Sequence, residues 1–311
     1  MLLGGCRQPG DEDLGLHRDV QRSIALDKLA EPLVLLAALR QRGAELDGKL
    51  GARGYDITHV LELSSGDGAR AQRDRVEQAI HVDTDGKGAF HLVRELGHPG
   101  ALAPPPKSGD DDATIVKDRV DPLAQGMEAV AIAGRVFVRP RYGHFVGRRP
   151  ESGELDRLRK IGEWVLGDDL ALLAPYLTVE DRGSGSVLGR KTRKLSLSRR
   201  QTATPVPPSD DPRQAWRAGV TVAELSGEIE VDAETGAPLR ANVEARYTLP
   251  RPSAPIAAHL SLKQDARAAT AILAPSEVVP TPQRPRPTVE RNQLLEGLAA
   301  PVGTQSSGAR P

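Results

Sequence analysis

From Leu239 to Tyr247 the chain alternates without a break, with Leu239, Ala241, Val243, Ala245 and Tyr247 on one side and Arg240, Asn242, Glu244 and Arg246 on the other. Successive side chains of a strand point to opposite faces, so this stretch is a strand with one apolar and one charged face. Upstream, Ile229 and Val231 alternate with Glu228, Glu230 and Asp232 in the same way. Between the two arms, the run from Ala233 to Pro238 supplies Gly236, which can take positive φ, and Pro238, which suits a strand start. The segment from Leu225 to Leu249 is therefore a hairpin whose apolar face the rest of the chain must cover.

The same period recurs on both sides of that hairpin. Ile57, Leu61 and Leu63 mark a strand over 54–63. Val76, Ile80 and Val82 lead to the turn residues 83–88, and Phe90 and Leu92 lead back. Val130 and Ile132 reach Ala133-Gly134, and Val136 and Val138 return, with strand character extended to Val146. Residues 176–180 and 187–198 bracket a Gly/Ser-rich stretch, read as a turn at 182–186, and a final strand carries Leu260 and Leu262.

Helical spacing is confined to two places. One helix is expected from near Asp19, with Val20, Ile24 and Leu29. Pro32 then opens another, with Leu33, Leu36, Leu39, Gly43 and Leu46 on one face. Midway, Ser152 is placed as an N-cap for a helix with the stripe Leu155, Leu158, Ile161 and Val165, Trp164 beside it, and a short helix over 168–174 stops at Pro175. Antiparallel strands with segregated helices give an α+β fold: a curved antiparallel sheet, or half-barrel, with helices covering the concave face.

Several chemistries are excluded. Forty-two basic and forty-two acidic residues cancel, so a nucleic-acid partner is not expected. No apolar run approaches the about 18 residues that cross a bilayer as a helix. The Asp83-x-Asp85-Gly86 spacing reads as a turn rather than a calcium loop, His81 and His91 read as satisfied strand histidines, and no metal or cofactor is expected. The glycines of 182–186 lack the Gly-Lys-Ser/Thr of a phosphate loop and the Gly-x-Ser-x-Gly of a hydrolase elbow. The segment Val60 to Gly68, with Asp83 downstream, resembles the glycine-rich motif of S-adenosylmethionine-dependent methyltransferases, which stands as a second alternative. Against it, charge at Arg70, Arg73, Asp74, Arg75 and Glu77 surrounds the helix that reading needs. Arg190, Lys191, Arg193, Lys194, Arg199 and Arg200 form a basic patch, read as a solvated face before a membrane-surface contact.

The strand ladder from Val76 to Val146, the helical segment from Ser152 to Pro175 and the hairpin Gly227-Glu-Ile-Glu-Val-Asp232 with Thr235-Gly236-Ala237-Pro238-Leu239 resemble the half-barrel superfamily of bacterial lipoprotein carriers and lipid-binding lipoproteins, the LolA/LolB and LppX/LprG type. That resemblance implies a non-catalytic envelope protein that binds or transfers lipid or acylated cargo in a cavity between sheet and helices. Val136, Val138, Ile229, Val231, Leu239, Val243, Tyr247, Leu260 and Leu262 would line it, and Leu155, Leu158, Ile161, Trp164 and Val165 would form its lid. The same residues are equally compatible with a filled core, which makes a surface-anchored structural or interaction lipoprotein the first alternative.

The lone cysteine, Cys6, follows Leu3-Gly4-Gly5, which resembles the lipobox of bacterial lipoproteins. This implies lipid attachment at Cys6, a membrane anchor facing the periplasm or cell surface, and an upstream in-frame signal segment. The expected organisation is an N-terminal tether over 1–17, a half-barrel domain over 18–274 with insertions at 99–122 and 201–215, and a Pro-rich tail over 275–311. In the tail, the amphipathic segment 290–298, with Leu294, Leu295 and Leu298, suits docking on a protein partner.

Overall fold

The computed structural model describes residues 24–66, 72–97, 126–141, 143–204, 219–250 and 255–279. Its strands are, in chain order, β1 (Arg53–Ser65), β2 (Gln72–Thr84), β3 (Phe90–Gly97), β4 (Gly126–Ile132), β5 (Arg135–Pro140), β6 (Phe145–Arg148), β7 (Leu177–Val187), β8 (Arg190–Arg199), β9 (Thr221–Asp232), β10 (Pro238–Leu249), β11 (Ile256–Arg267) and β12 (Val278–Val279). The α-helices among the described residues are α1 (Pro32–Leu39), α2 (Gly43–Leu50), α3 (Glu154–Glu163) and α4 (Val165–Leu173). None is long and apolar enough to cross a membrane.

All strands join one open sheet, ordered β12-β6-β5-β4-β3-β2-β1-β11-β10-β9-β8-β7. Two meanders, β1 to β6 and β7 to β11, meet where β1 pairs antiparallel with β11, from Gly54 opposite Arg267 to Ser65 opposite Ile256. That topology dictates where the helices go. After β6 the chain stands near one edge of the sheet, while β7 forms the other edge. The connection must cross the width of the sheet, and it does so as α3 and α4. Together with α1 and α2 they cover the concave face, which completes the α+β half-barrel.

Turn chemistry follows from the backbone each turn requires. Ala133 and Gly134 have φ of 51° and 71°, the paired positive values of a two-residue hairpin turn. Gly236 sits at φ 75° as its place in the β9–β10 turn demands. In the β2–β3 turn, the Asp85 carboxylate accepts the amides of Lys87 at 2.7 Å and Ala89 at 3.0 Å. Its oxygen is thus engaged in turn closure, in keeping with the turn reading of this segment.

Five local expectations are corrected. The run from Pro32 to Leu46 is two helices, broken at Arg40 and re-entered from extended Arg42. α1 buries Leu35, Leu36, Ala38 and Leu39, while Leu33 is 78% exposed. The redirection brings Gly43 so close to Glu163 and Arg159 that a Cβ there would collide with both. Of the helix expected from near Asp19, the described residues from Ile24 onward form only a short 3-10 turn, Leu26–Lys28, leading to fully buried Leu29. Ser152 does not cap α3. Gly153 holds the N-cap position at φ 67°, and Glu154 folds back to accept the Glu151 amide at 2.8 Å and to pair with Arg148. The following helix starts at Val165, three residues before its expected start at Asp168. Finally, β7 continues through the Gly/Ser stretch, and the β7–β8 turn is Leu188-Gly189, with φ of 51° and 76°. The register shift between Asp181 and Ser184 shows what Gly183 does there, at φ 97°: it accommodates a bulge within the strand.

Beyond β11 the chain turns over the outer face. The Thr270 amide donates to Asp83 at 2.8 Å, Ile272 packs on Val130, Phe137 and Phe145, and β12 pairs in parallel with β6. Cys6, the tether 1–17, Val20, the insertion 99–122, most of 201–215 and the tail segment with Leu294, Leu295 and Leu298 lie outside the described residues.

The β9–β10 turn is held by one buried carboxylate. Asp232 is 1% exposed and takes bonds from the Thr235 hydroxyl at 2.8 Å, the Thr235 amide at 2.9 Å and Arg190 at 2.6 Å. Burial pushes its acidity weaker, and Arg190 with Thr235 overcomes that, so its pKa lies below the ordinary 3.8. A depressed carboxyl pKa contributes stability that is complete above the unfolded value and is lost as pH falls through the folded one. Asp232→Asn is expected to destabilise the protein by about 1–3 kcal/mol near neutral pH. Its urea midpoint should also fall less than wild type between about pH 5 and pH 2.

Candidate functional site

Alternation places the residues singled out from the sequence on the concave face. Val136, Ile229, Val231, Leu239, Val243, Tyr247, Leu260 and Leu262 are buried there, and Val138 is half-buried. In register, Val243 lies opposite Leu262, Ala245 opposite Leu260 and Ala241 opposite Ile229. The nine do not converge on one open space. Ile229, Val231, Val243, Tyr247, Leu260 and Leu262 pack with Leu35, Leu39, Leu166, Leu170 and Leu173 of the helices. Val136 and Leu239 join Ile80, Val82, Phe90 and Leu92 under Leu158. Between α1, α2 and the sheet there is a void of about 20 Å³, room for about one water.

The lid residues divide by role. Leu158 is buried against β2 and β3, and Leu155, Ile161 and Val165 pack beside it. Trp164 instead ties helix to helix: its indole N–H donates to Gln41 O at 3.0 Å, and the Lys160 ammonium stands 4.1 Å from its ring centre. Gly162 lets α3 lie on the sheet, because a Cβ there would come within 2.4 Å of Val82.

A charged cluster fastens this helical layer, and sequence reasoning missed it. Arg159 on α3 donates to both oxygens of Asp47 on α2, at 2.7 and 2.8 Å, and to Glu163 at 2.9 Å. Arg53 at the start of β1 donates to Asp47 at 3.1 Å and stands 3.7 Å from Glu163, while the Thr84 hydroxyl adds a bond to Asp47 at 3.2 Å. All four charged side chains are at most 10% exposed. Burial pushes Asp47 up, but Arg159 and Arg53 hold it below its ordinary value. Burial pushes the Glu163 carboxyl up. The i,i+4 spacing of Arg159 and Glu163 was the available signal, but nothing local says that their partners come from α2 and β1.

A second polar spot lies deeper along β1. Its inward positions run Tyr55, Ile57, His59, Leu61 and Leu63, so His59 takes a slot that is otherwise apolar or aromatic. His59 Nε2 stands 3.1 Å from Asp169 Oδ2 on α4, with the histidine side chain only 9% exposed. Neither that oxygen nor His59 Nδ1 has a hydrogen-bond partner. Tyr247, across the sheet, has its hydroxyl pushed up to about 12 by burial and by the Asp169 charge.

At the far ends of the same strands, away from the Asp47 cluster, a cavity of about 600 Å³ is lined mostly by outward-facing residues such as Glu62, Arg75, Arg246 and His259, together with Leu63, Tyr247 and Ala258. Elsewhere, the strand histidines and the basic patch make ordinary pairs. His81 meets Asp56 and His91 meets Glu128, each at 2.8 Å. Within the basic patch, Arg190 pairs with Asp232, Arg193 with Asp181, Arg199 donates to Val222 O and Arg200 to Thr204, leaving Lys191 and Lys194 exposed. The methyltransferase reading is overturned: Val60 to Ser65 continue an antiparallel strand, and Asp83 lies on the neighbouring strand bonded to Arg267. A cofactor-binding strand-turn-helix requires the opposite arrangement. Residues 73–77 are likewise strand, where alternation sends Arg73, Arg75 and Glu77 outward.

No protein-family model and no curated protein matches the chain. Among solved structures it is similar to the Mycobacterium tuberculosis lipoprotein LppX, at 10% identity and a TM-score of 0.27, covering 78% of this chain and 99% of that one. It is also similar to LprF from Mycobacterium bovis, at 12% identity and a TM-score of 0.25, over 78% of this chain and 96% of the other. A third is a putative outer membrane lipoprotein-sorting protein domain from Vibrio parahaemolyticus, at 8% identity and a TM-score of 0.15, over 84% and 97%. The fold of this chain stands on its own strand order and registers.

Proposed function

We propose that the chain is a non-catalytic envelope lipoprotein, anchored through Cys6 and facing the periplasm or the cell surface, that binds or transfers a lipid or acylated cargo against its concave face. The observation that carries this reading is a buried apolar face, shared by nearly all the strands, under four short helices whose charged ties to the sheet and to one another gather around Asp47, Arg53, Arg159 and Glu163. Apolar contact makes up most of the remaining helix-to-sheet interface. An acyl chain replaces such contact like for like, each buried methylene contributing about 0.8 kcal/mol. Because the void between α1, α2 and the sheet holds only about 20 Å³, cargo enters there by displacing helices, so loading and lid movement are one event.

That same small void favours a second reading, a packed scaffold whose function lies on its surface. Native mass spectrometry of the full chain purified from its own cell envelope separates the two. Co-purifying lipid, removed by delipidation and restored on adding it back, is the expected result. A protein that carries none and takes up none under the same conditions is a scaffold.

A further inference from the structure

His59 and Asp169 are an anomaly on an apolar wall. In register His59 lies opposite Leu262, which lies opposite Val243, and Leu61 follows on the same face. Asp169 reaches this wall from α4, between the buried Leu166 and Leu170. Nδ1 is buried without a partner, and Oδ2 makes no hydrogen bond although Nε2 stands 3.1 Å from it. A buried polar atom left unpaired is a standing cost that a ligand hydrogen bond removes. The pair lies on the face that cargo entering by helix displacement meets: His59, Leu61 and Leu63 are successive inward positions of β1.

We propose that His59 and Asp169 form the polar end of the ligand site and receive the hydroxyl head of an uncharged acyl amphiphile such as a monoacylglycerol. This rests on the reading of the chain as a lipid binder. Nε2 faces Asp169 Oδ2, Nδ1 on the other side of the ring has no partner, and Oδ2 makes no hydrogen bond. A hydroxyl, which both donates and accepts, suits both atoms. A carboxylate or phosphate head would bring a second negative charge up to Asp169, and a quaternary ammonium has no hydrogen to give Nδ1. A hydroxyl satisfies both atoms without carrying charge into the apolar face.

The test is competition between glycerol monooleate and methyl oleate for the delipidated full chain, read by native mass spectrometry. These probes share the acyl chain and differ in the free hydroxyls. Wild type is expected to prefer glycerol monooleate about tenfold, and His59→Leu should bring the ratio close to one. Should His59→Leu fail to fold, Asp169→Asn carries the test, since it alters one acceptor while keeping shape, and its ratio should also fall. Equal uptake of both probes by wild type, or a preference that survives in the variant, overturns this assignment and leaves the lipid-binding reading intact. Uptake of neither probe by wild type overturns both.

Discussion

Arg159→Met is expected to destabilise the protein by about 3–5 kcal/mol, measured by urea unfolding near neutral pH. The guanidinium supplies one bond to each oxygen of Asp47 and two to Glu163, all within a site almost closed to water. Removing it leaves Arg53 as the remaining cation against two carboxylates. The cost comes from the stranded charges more than from the lost bonds, because taking ions out of water is repaid only by close partners. A double variant, Asp47→Leu with Arg159→Met, should therefore recover much of the loss, since Arg53 and Glu163 then balance. If the single variant unfolds like wild type, the cluster does not fasten the lid. The helical layer would then be held by apolar packing and by its other polar ties, among them Arg148 to Glu154, His59 to Asp169 and Trp164 to Gln41.

Leu260→Ala should cost about 2–5 kcal/mol, the range for deleting a fully buried leucine from a close-packed core. Leu260 is 1% exposed, in the cluster that joins the sheet to α1 and α4. The measurement bears directly on the state of the concave face. A leucine that bordered an open cavity would lose only part of its contacts, and its removal would cost little. With a filled interior, the full transfer and cavity terms apply. An acyl ligand that enters by displacing helices would refill the space, so under the carrier reading added lipid should raise the melting temperature of Leu260→Ala more than that of wild type. A small loss of stability on substitution would mean that the closed, filled arrangement is not the dominant one in solution.

What was legible in the sequence follows from how local each signal is. The β9–β10 hairpin could be read residue by residue, because inward and outward positions alternate for the full length of both arms and Gly236 and Pro238 mark the turn. The stripe of α3 was equally plain. The β7–β8 turn was misplaced because Gly and Ser signal turns and bulges alike, and the positive φ fell instead on Leu188, which has no such preference. Ser152 was given the cap because its residue type favours it, whereas Gly153 and the back-folded Glu154 took that end of the helix.

The chain by itself determined its period, its turns and therefore a sheet with one apolar face in need of helices. These properties are written between residues a few positions apart. Only the tertiary structure decided that β1 pairs with β11, that α3 and α4 cross from one edge of the sheet to the other, and that a void of only about 20 Å³ is left between α1, α2 and the sheet. It alone brought Asp47 and Arg53 to Arg159 and Glu163, and His59 to Asp169. Alternation says which face a side chain occupies, but not which distant element will cover it, and in this protein the polar contacts that matter are all made across that second choice.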